Sequence, residues 1–230
     1  MKINRFGILL SVFLLTAMVF VPCVNAYQAS SYGTNYGDGM DTTSIALNAR
    51  NELKHMGYTS SYVGNRDANT AYNRMTSDQV FYFFGHGDAG RILFKENGLL
   101  MTAISADNPS LLPTISGHSY SEMNDIALAI YLACNTANTD STNGNLLYES
   151  TSNGVDTAVG FSNYITEGQA AYWSDQFMYY LDEQYNINDA AVYSLVDVRN
   201  EYGMFNVGGM DSYVIQGSVS STIDPQRAGY

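Results

Sequence analysis

Residues 80–87 read Val80-Phe81-Tyr82-Phe83-Phe84-Gly85-His86-Gly87. Five consecutive apolar or aromatic residues run into Gly-His-Gly. A short unbroken apolar run closed by glycine is the pattern of a strand buried on both faces, as inside a parallel sheet. In open parallel sheets, chemistry gathers in the crevice beyond the carboxyl ends of the strands. His86 is expected there, with glycine on either side to let the backbone turn and approach a ligand closely. A second stretch repeats the plan. Ala127-Leu128-Ala129-Ile130-Tyr131-Leu132-Ala133 leads into Cys134-Asn135-Thr136. Two buried strands then end in the two residue types that thiol catalysis requires.

Outward from these strands the chain alternates strand and helix, the signature of a parallel α/β sheet. A weak first strand is expected over about 27–32. A helix follows over about 42–56, with Ile45, Ala49, Leu53 and Met56 at helical spacing and Gly57 just past its end. Residues 58–63 suit a returning strand and 67–77 a short helix or loop. After His86, Asn97-Gly98 between two apolar runs signals a hairpin. Residues 102–121, with Pro109, Pro113 and His118, read as a loop with little regular structure. Beyond Cys134 the pattern predicts a polar loop over 135–144, a helix over 145–152 and a strand over 156–161. A helix over 169–185 carries the stripe Trp173, Phe177, Tyr180 and Leu181, read as core. A second, capped by Asp189, carries Val192, Leu195, Val196 and Arg199 and ends at Gly203. A last strand is predicted over 212–216, followed by a loose polar tail.

The N-terminus has Lys2 and Arg5, an apolar run from Ile8 to Val21, and Val24-Asn25-Ala26. This is the make-up of a secretory signal peptide cut after Ala26. The run is short for a membrane span, although an uncleaved anchor is the alternative; Pro22 fits poorly with a lipoprotein signal at Cys23. Residues 27–230 then form one domain of ordinary size with no membrane span. Without Lys2 and Arg5, 8 basic residues face 22 acids, a formal charge of −14. Such a surface disfavours nucleic acid and anionic membranes and suits an exported protein. Cys134 is the sole cysteine after Ala26, so no internal disulfide can form. A single leftover cysteine in an exported chain is either a reactive thiol or a buried small hydrophobe. No GxGxxG or GxxxxGK[ST] occurs, no cofactor is implied, and no His, Cys and Asp cluster has zinc spacing.

Thiol catalysis places a base within hydrogen-bond reach of the nucleophile and aims backbone N–H groups at the developing oxyanion. If the two buried strands are neighbours, His86 and Cys134 emerge on one edge, with the N–H groups of Gly87 and Cys134 as natural oxyanion donors. The pair of motifs resembles the clan of cysteine peptidases that holds caspases, legumain, gingipains, clostripain and separase. The shared features are an apolar strand ending in His86-Gly87 and another ending in Ala133-Cys134. The separation of 48 residues is close to the roughly fifty of caspases. The caspase Gln-Ala-Cys-x-Gly pattern is not matched by Leu132-Ala133-Cys134-Asn135-Thr136, which is closer to the gingipain and legumain style. The resemblance implies a caspase-like three-layer α/β sandwich with a mostly parallel central sheet and hydrolysis of polypeptide substrates. It assigns His86 as base, Cys134 as nucleophile, and Gly87 with Cys134 as the oxyanion hole.

In that clan the first specificity pocket is shaped by residues after the neighbouring strands. Here these are Phe161, Ser162 and Asn163, with Asp156 or Glu167 as acids that would select Arg or Lys. The absence of Lys and Arg between Lys95 and Arg199 would then spare the catalytic half from self-cleavage. A transamidase of the same chemistry and an inactive extracellular binding module are the competing readings. A thiol redox protein is disfavoured, because no second cysteine remains to resolve an oxidised one.

Overall fold

A computed structural model describes residues 27–96, 101–111, 113–223 and 225. The expected signal peptide, with Cys23, and the Asn97-Gly98 turn lie outside the described residues. The strands are β1 (Gln28–Gly33), β2 (Thr59–Gly64), β3 (Val80–Phe84), β4 (Gly87–Asp88), β5 (Arg91–Lys95), β6 (Met101–Ser105), β7 (Leu128–Leu132), β8 (Thr157–Phe161) and β9 (Tyr213–Gly217). The helices are α1 (Thr43–His55), α2 (Ala68–Met75), α3 (Tyr120–Met123), α4 (Leu146–Ser152), α5 (Glu167–Asp182) and α6 (Ile187–Tyr202). Six strands form the central sheet in the order β2-β1-β3-β7-β8-β9. All neighbours are parallel except β9, which runs antiparallel to β8 at the edge.

Because successive side chains of a strand point to opposite faces, the run Val80–Phe84 feeds two cores. Val80, Tyr82 and Phe84 pack with Ala49 and Leu53 of α1, Trp173 and Phe177 of α5 and Ala191 of α6. Phe81 and Phe83 pack on the other face with Ala71 and Met75 of α2 and Leu146 and Leu147 of α4. All five residues of β3 and all five of β7 are buried. The tyrosines in these strands keep their hydroxyls satisfied: Tyr82 meets Ser174 Oγ at 2.6 Å and Tyr131 meets Ser150 Oγ at 2.6 Å. The result is a three-layer α/β sandwich with a mostly parallel sheet.

Several expectations are corrected. Residues 102–121 are partly regular: β6 runs to Ser105, Ile115–Gly117 is a 3-10 turn, and Ser119 opens α3 through a capping box with Glu122. His118 is buried and stacks on Tyr72 at 3.8 Å. Helix α6 is capped by Asn186, whose side chain accepts from the Asp189 amide, so Asp189 is a first-turn residue. Val192 and Val196 are exposed, while Leu195 is buried as expected together with Ile187, Ala190, Ala191, Ser194 and Val198. Residues 218–223 of the polar segment after Gly217 are fastened rather than loose. The Ile187 and Asn188 amides donate to Ser221 and Val219, and Ile223 is buried with its carbonyl accepting from the Tyr58 hydroxyl.

Asp78 sits just before β3, 2% exposed, and accepts from Ser30 Oγ at 3.0 Å on one oxygen while the other has no partner. Burial pushes its carboxyl up to about 7. The folded state therefore binds a proton the unfolded state has released. The stability this contributes is complete below the ordinary carboxylate range and is lost as pH rises through about 7. Asp78→Asn keeps the acceptor for Ser30 and removes the charge. It is expected to raise stability by about 1–3 kcal/mol at pH 8, with the gain shrinking towards pH 4, read as thermal midpoints across that range.

Candidate active site

Strands β3 and β7 pair in register from Val80–Leu128 to Phe84–Leu132. His86 and Cys134 each follow two residues past the end of their strand at the carboxyl edge, and the Gly85 amide still donates to the Leu132 carbonyl at 3.2 Å. The next residue closes the approach. A Cβ on Gly87 would lie 2.7 Å from Ala133 Cβ, 3.0 Å from Thr136 Cγ2 and 3.1 Å from the Cys134 carbonyl oxygen. Only a residue without a side chain lets the His86 loop seat on the Cys134 turn. That turn is itself held down. Thr136 Oγ1 donates towards the Tyr131 and Ala133 carbonyls and accepts from the Phe161 amide at 3.1 Å. Asn135 takes a left-handed φ of 58°, a conformation asparagine tolerates well.

The imidazole is fixed by an arm between β1 and α1. The Tyr36 hydroxyl donates to the Leu93 carbonyl at 2.6 Å and accepts from the His86 amide at 3.0 Å. Its ring packs on the imidazole with centroids 4.3 Å apart. Two residues on, Asp38 Oδ2 lies 2.9 Å from His86 Nε2. The Met40 amide and then the His86 imidazole, both hydrogen-bonding the Asp38 carboxylate, hold its pKa below the usual range. Asp38 lies between Gly37 (φ 73°) and Gly39 (φ 110°), which fold the arm back so that the Tyr36 amide meets the Met40 carbonyl. Gly85 makes room for it, since a Cβ there would sit 2.1 Å from the Tyr36 hydroxyl. Neither Tyr36 nor Asp38 stood out in the sequence. The available signal was an acid flanked by glycines, Gly37-Asp38-Gly39.

Cys134 is half-buried and its thiol faces the segment after β8. The Ile165 amide points at Sγ from 3.4 Å and the Ile165 carbonyl lies 3.7 Å away. The hydrogen bonds of the two side chains therefore go to Asp38 and Ile165 rather than to each other. Asp38 engages Nε2, which leaves Nδ1 as the other ring nitrogen. The arrangement brings a thiol and an imidazole held by a carboxylate to the same edge of the sheet, with the Ile165 amide beside the sulfur.

The proposed pocket residues separate. Ser162 and Asn163 are exposed at the carboxyl end of β8, and the Asn163 carbonyl accepts from the Asn135 amide at 3.1 Å, directly beside Cys134. Glu167 is exposed in the first turn of α5, two residues past Ile165. Two expectations are corrected. Phe161 is fully buried and packs edge-on against Trp173 at 5.4 Å, because it falls on the α5 face of β8, which is buried on both faces. Asp156 precedes β8 at the opposite edge of the sheet, its carbonyl accepting from the Ser218 amide. Asp211 is a rim acid the sequence did not single out. It is exposed in the 3-10 turn Met210–Ser212, whose Ser212 carbonyl accepts from the Ser162 amide.

No family model and no curated protein matches the chain. Solved structures do. Gingipain R, an Arg-specific cysteine proteinase, superposes with a TM-score of 0.60 at 12% identity, over 87% of this chain and 48% of its own. Separase of Saccharomyces cerevisiae, solved with securin, gives 0.51 at 16% identity over 89% of this chain and 13% of its own. Caspase-1 of Spodoptera frugiperda gives 0.51 at 10% identity over 83% of this chain and 86% of its own. The chain thus has the caspase-like fold, and these neighbours are cysteine peptidases of the caspase-like clan. It spans about half the length of the gingipain R chain.

Gly87→Ala is expected to lift the His86 loop off Ala133. The overpacking should cost about 1–3 kcal/mol in a denaturant titration and slow alkylation of Cys134 in the folded chain.

Proposed function

We propose that the chain is an exported cysteine endopeptidase working through Cys134 and His86. The observation that carries this reading is the seating of Gly87 on the Ala133-Cys134 turn beside an imidazole held by an acid. Cys134 transfers its proton to His86 Nδ1, and the thiolate attacks the scissile carbonyl. The N–H groups of Gly87 and Cys134 receive the oxyanion. His86 then protonates the departing amine, and water, deprotonated by the same imidazole, releases the acyl group from sulfur. Asp38 is a positioning residue: it holds Nε2–H and stabilises the imidazolium formed in each half of the cycle.

Export rests on the signal-like residues 1–26. Among the described residues no helix is long and apolar enough to cross a membrane. Glu167 and Asp211 on the rim next to Ser162 favour a basic residue at P1, the substrate position preceding the cut. Gingipain R, whose fold is shared, is an Arg-specific enzyme.

Active-site labelling with peptidyl acyloxymethyl ketones of differing P1 tests the reading. The expected outcome is labelling at Cys134 by Arg and Lys probes, absent in Cys134→Ala and at least about a hundredfold slower in His86→Ala. A folded, reduced chain that no probe labels would overturn the peptidase reading; labelling with no Arg or Lys preference would overturn the P1 assignment alone. Asp38→Asn should lower kcat by about tenfold or more and alter the pH profile, with KM little changed.

A further inference from the structure

The seam between α1 and α5 holds a second cluster that the thiol chemistry does not use. Asn48, Asn51, Glu52 and His55 follow each other at helical spacing and share one face of α1. The core residues Ala46, Ala49 and Leu53 lie to one side of that face, while Arg50 and Lys54 lie on the far side of the helix. From α5, Asp175 and Asp182 are seven residues apart, two turns along one face. Glu52, His55 and Asp182 bring a carboxylate oxygen, a ring nitrogen and a second carboxylate oxygen within 4.8 Å of one another. His55 Nδ1 is 2.6 Å from Asp182 Oδ2, and the Asp182 side chain is only 17% exposed. Beside this trio an open cleft of about 280 Å³ is lined by Asn48, Asn51, Glu52 and Asp175, with no apolar side chain among them. None of the ion pairs among the described residues brings a Lys or Arg to Glu52, Asp175 or Asp182.

We propose that Glu52, His55 and Asp182 form a divalent transition-metal site of the zinc class that clips α1 to α5. A mixed imidazole and carboxylate donor set favours such a cation over calcium or magnesium, which prefer oxygen alone. Ligand distances of roughly 2.0–2.2 Å require the three donor atoms to close in around the ion. The exposed His55 ring can swing to do so, exchanging its hydrogen bond to Asp182 for a shared bond to metal. Water fills the remaining positions from the cleft that Asn48 and Asn51 line. His55 and Asp182 are 127 residues apart, so no local spacing announces the site.

The test uses the full chain carrying Cys134→Ala, which removes the thiol as a competing zinc ligand. Zinc is titrated by calorimetry and thermal midpoints are followed with and without it. The expected result is one equivalent bound, a raised midpoint, and Co²⁺ ligand-field absorption at the same stoichiometry. His55→Gln and Asp182→Asn should each weaken zinc at least about tenfold and abolish the rise, with metal-free midpoints showing that both variants fold. Stoichiometric binding that survives both substitutions, no binding by the Cys134→Ala chain, or stabilisation by Ca²⁺ and not Zn²⁺ would each overturn the proposal.

Discussion

Five paired residues, Val80–Phe84 against Leu128–Leu132, carry the mechanical burden of the molecule. Each strand is buried on both faces, so a one-residue slip would exchange the contents of two cores at once. Phe83 would leave the α2 side and Tyr82 would lose Ser174. The register is therefore held by packing throughout its length, and its continuation sets where His86 and Cys134 stand. The site inherits its precision from a core that makes no chemical contribution.

The last step of that alignment is steric. Gly87 has no side chain to hold it away from Ala133, and Thr136 anchors the turn from beneath by three hydrogen bonds. The imidazole arrives on one wall, held by Tyr36 and Asp38, and the thiol on the other, against Ile165. The arm from Gly37 to Met40 is polar and glycine-rich, and it is held by the Tyr36–Met40 backbone bond and by the buried Tyr36 at its root. A carboxylate that ends such an arm stays wet and charged, which is the state needed to hold an imidazolium.

How much could be read beforehand follows from how local each signal was. The apolar runs at 80–84 and 128–132 are contiguous, and glycine marks their ends, so strand type, burial and the edge carrying His86 and Cys134 were legible. Asp38 was not, because its role is a contact with a residue 48 positions away and its own neighbourhood reads as loop. Phe161 was misplaced because the strand pattern does not say which side chain of its last residues turns into the core, whereas Asp156 stands at the amino end of β8, away from the crevice, as the strand's direction already implied. The tail after Gly217 looked loose because it is polar, yet the backbone of residues 218–223 is fastened to α6 and Ile223 is buried in the core. Tertiary hydrogen bonding overrode composition there.

From the sequence alone came the α/β alternation, the two strands that end in His86 and Cys134, and Cys134 as the sole cysteine after Ala26. All three follow from hydrophobic periodicity and residue counting, which are properties of short stretches. The tertiary structure decided which strands are neighbours, that Gly87 rests on Ala133, that Asp38 is the imidazole's partner, and that Glu52, His55 and Asp182 meet across two helices. These are long-range meetings governed by packing and register, and no window of the chain contains both members of any of them.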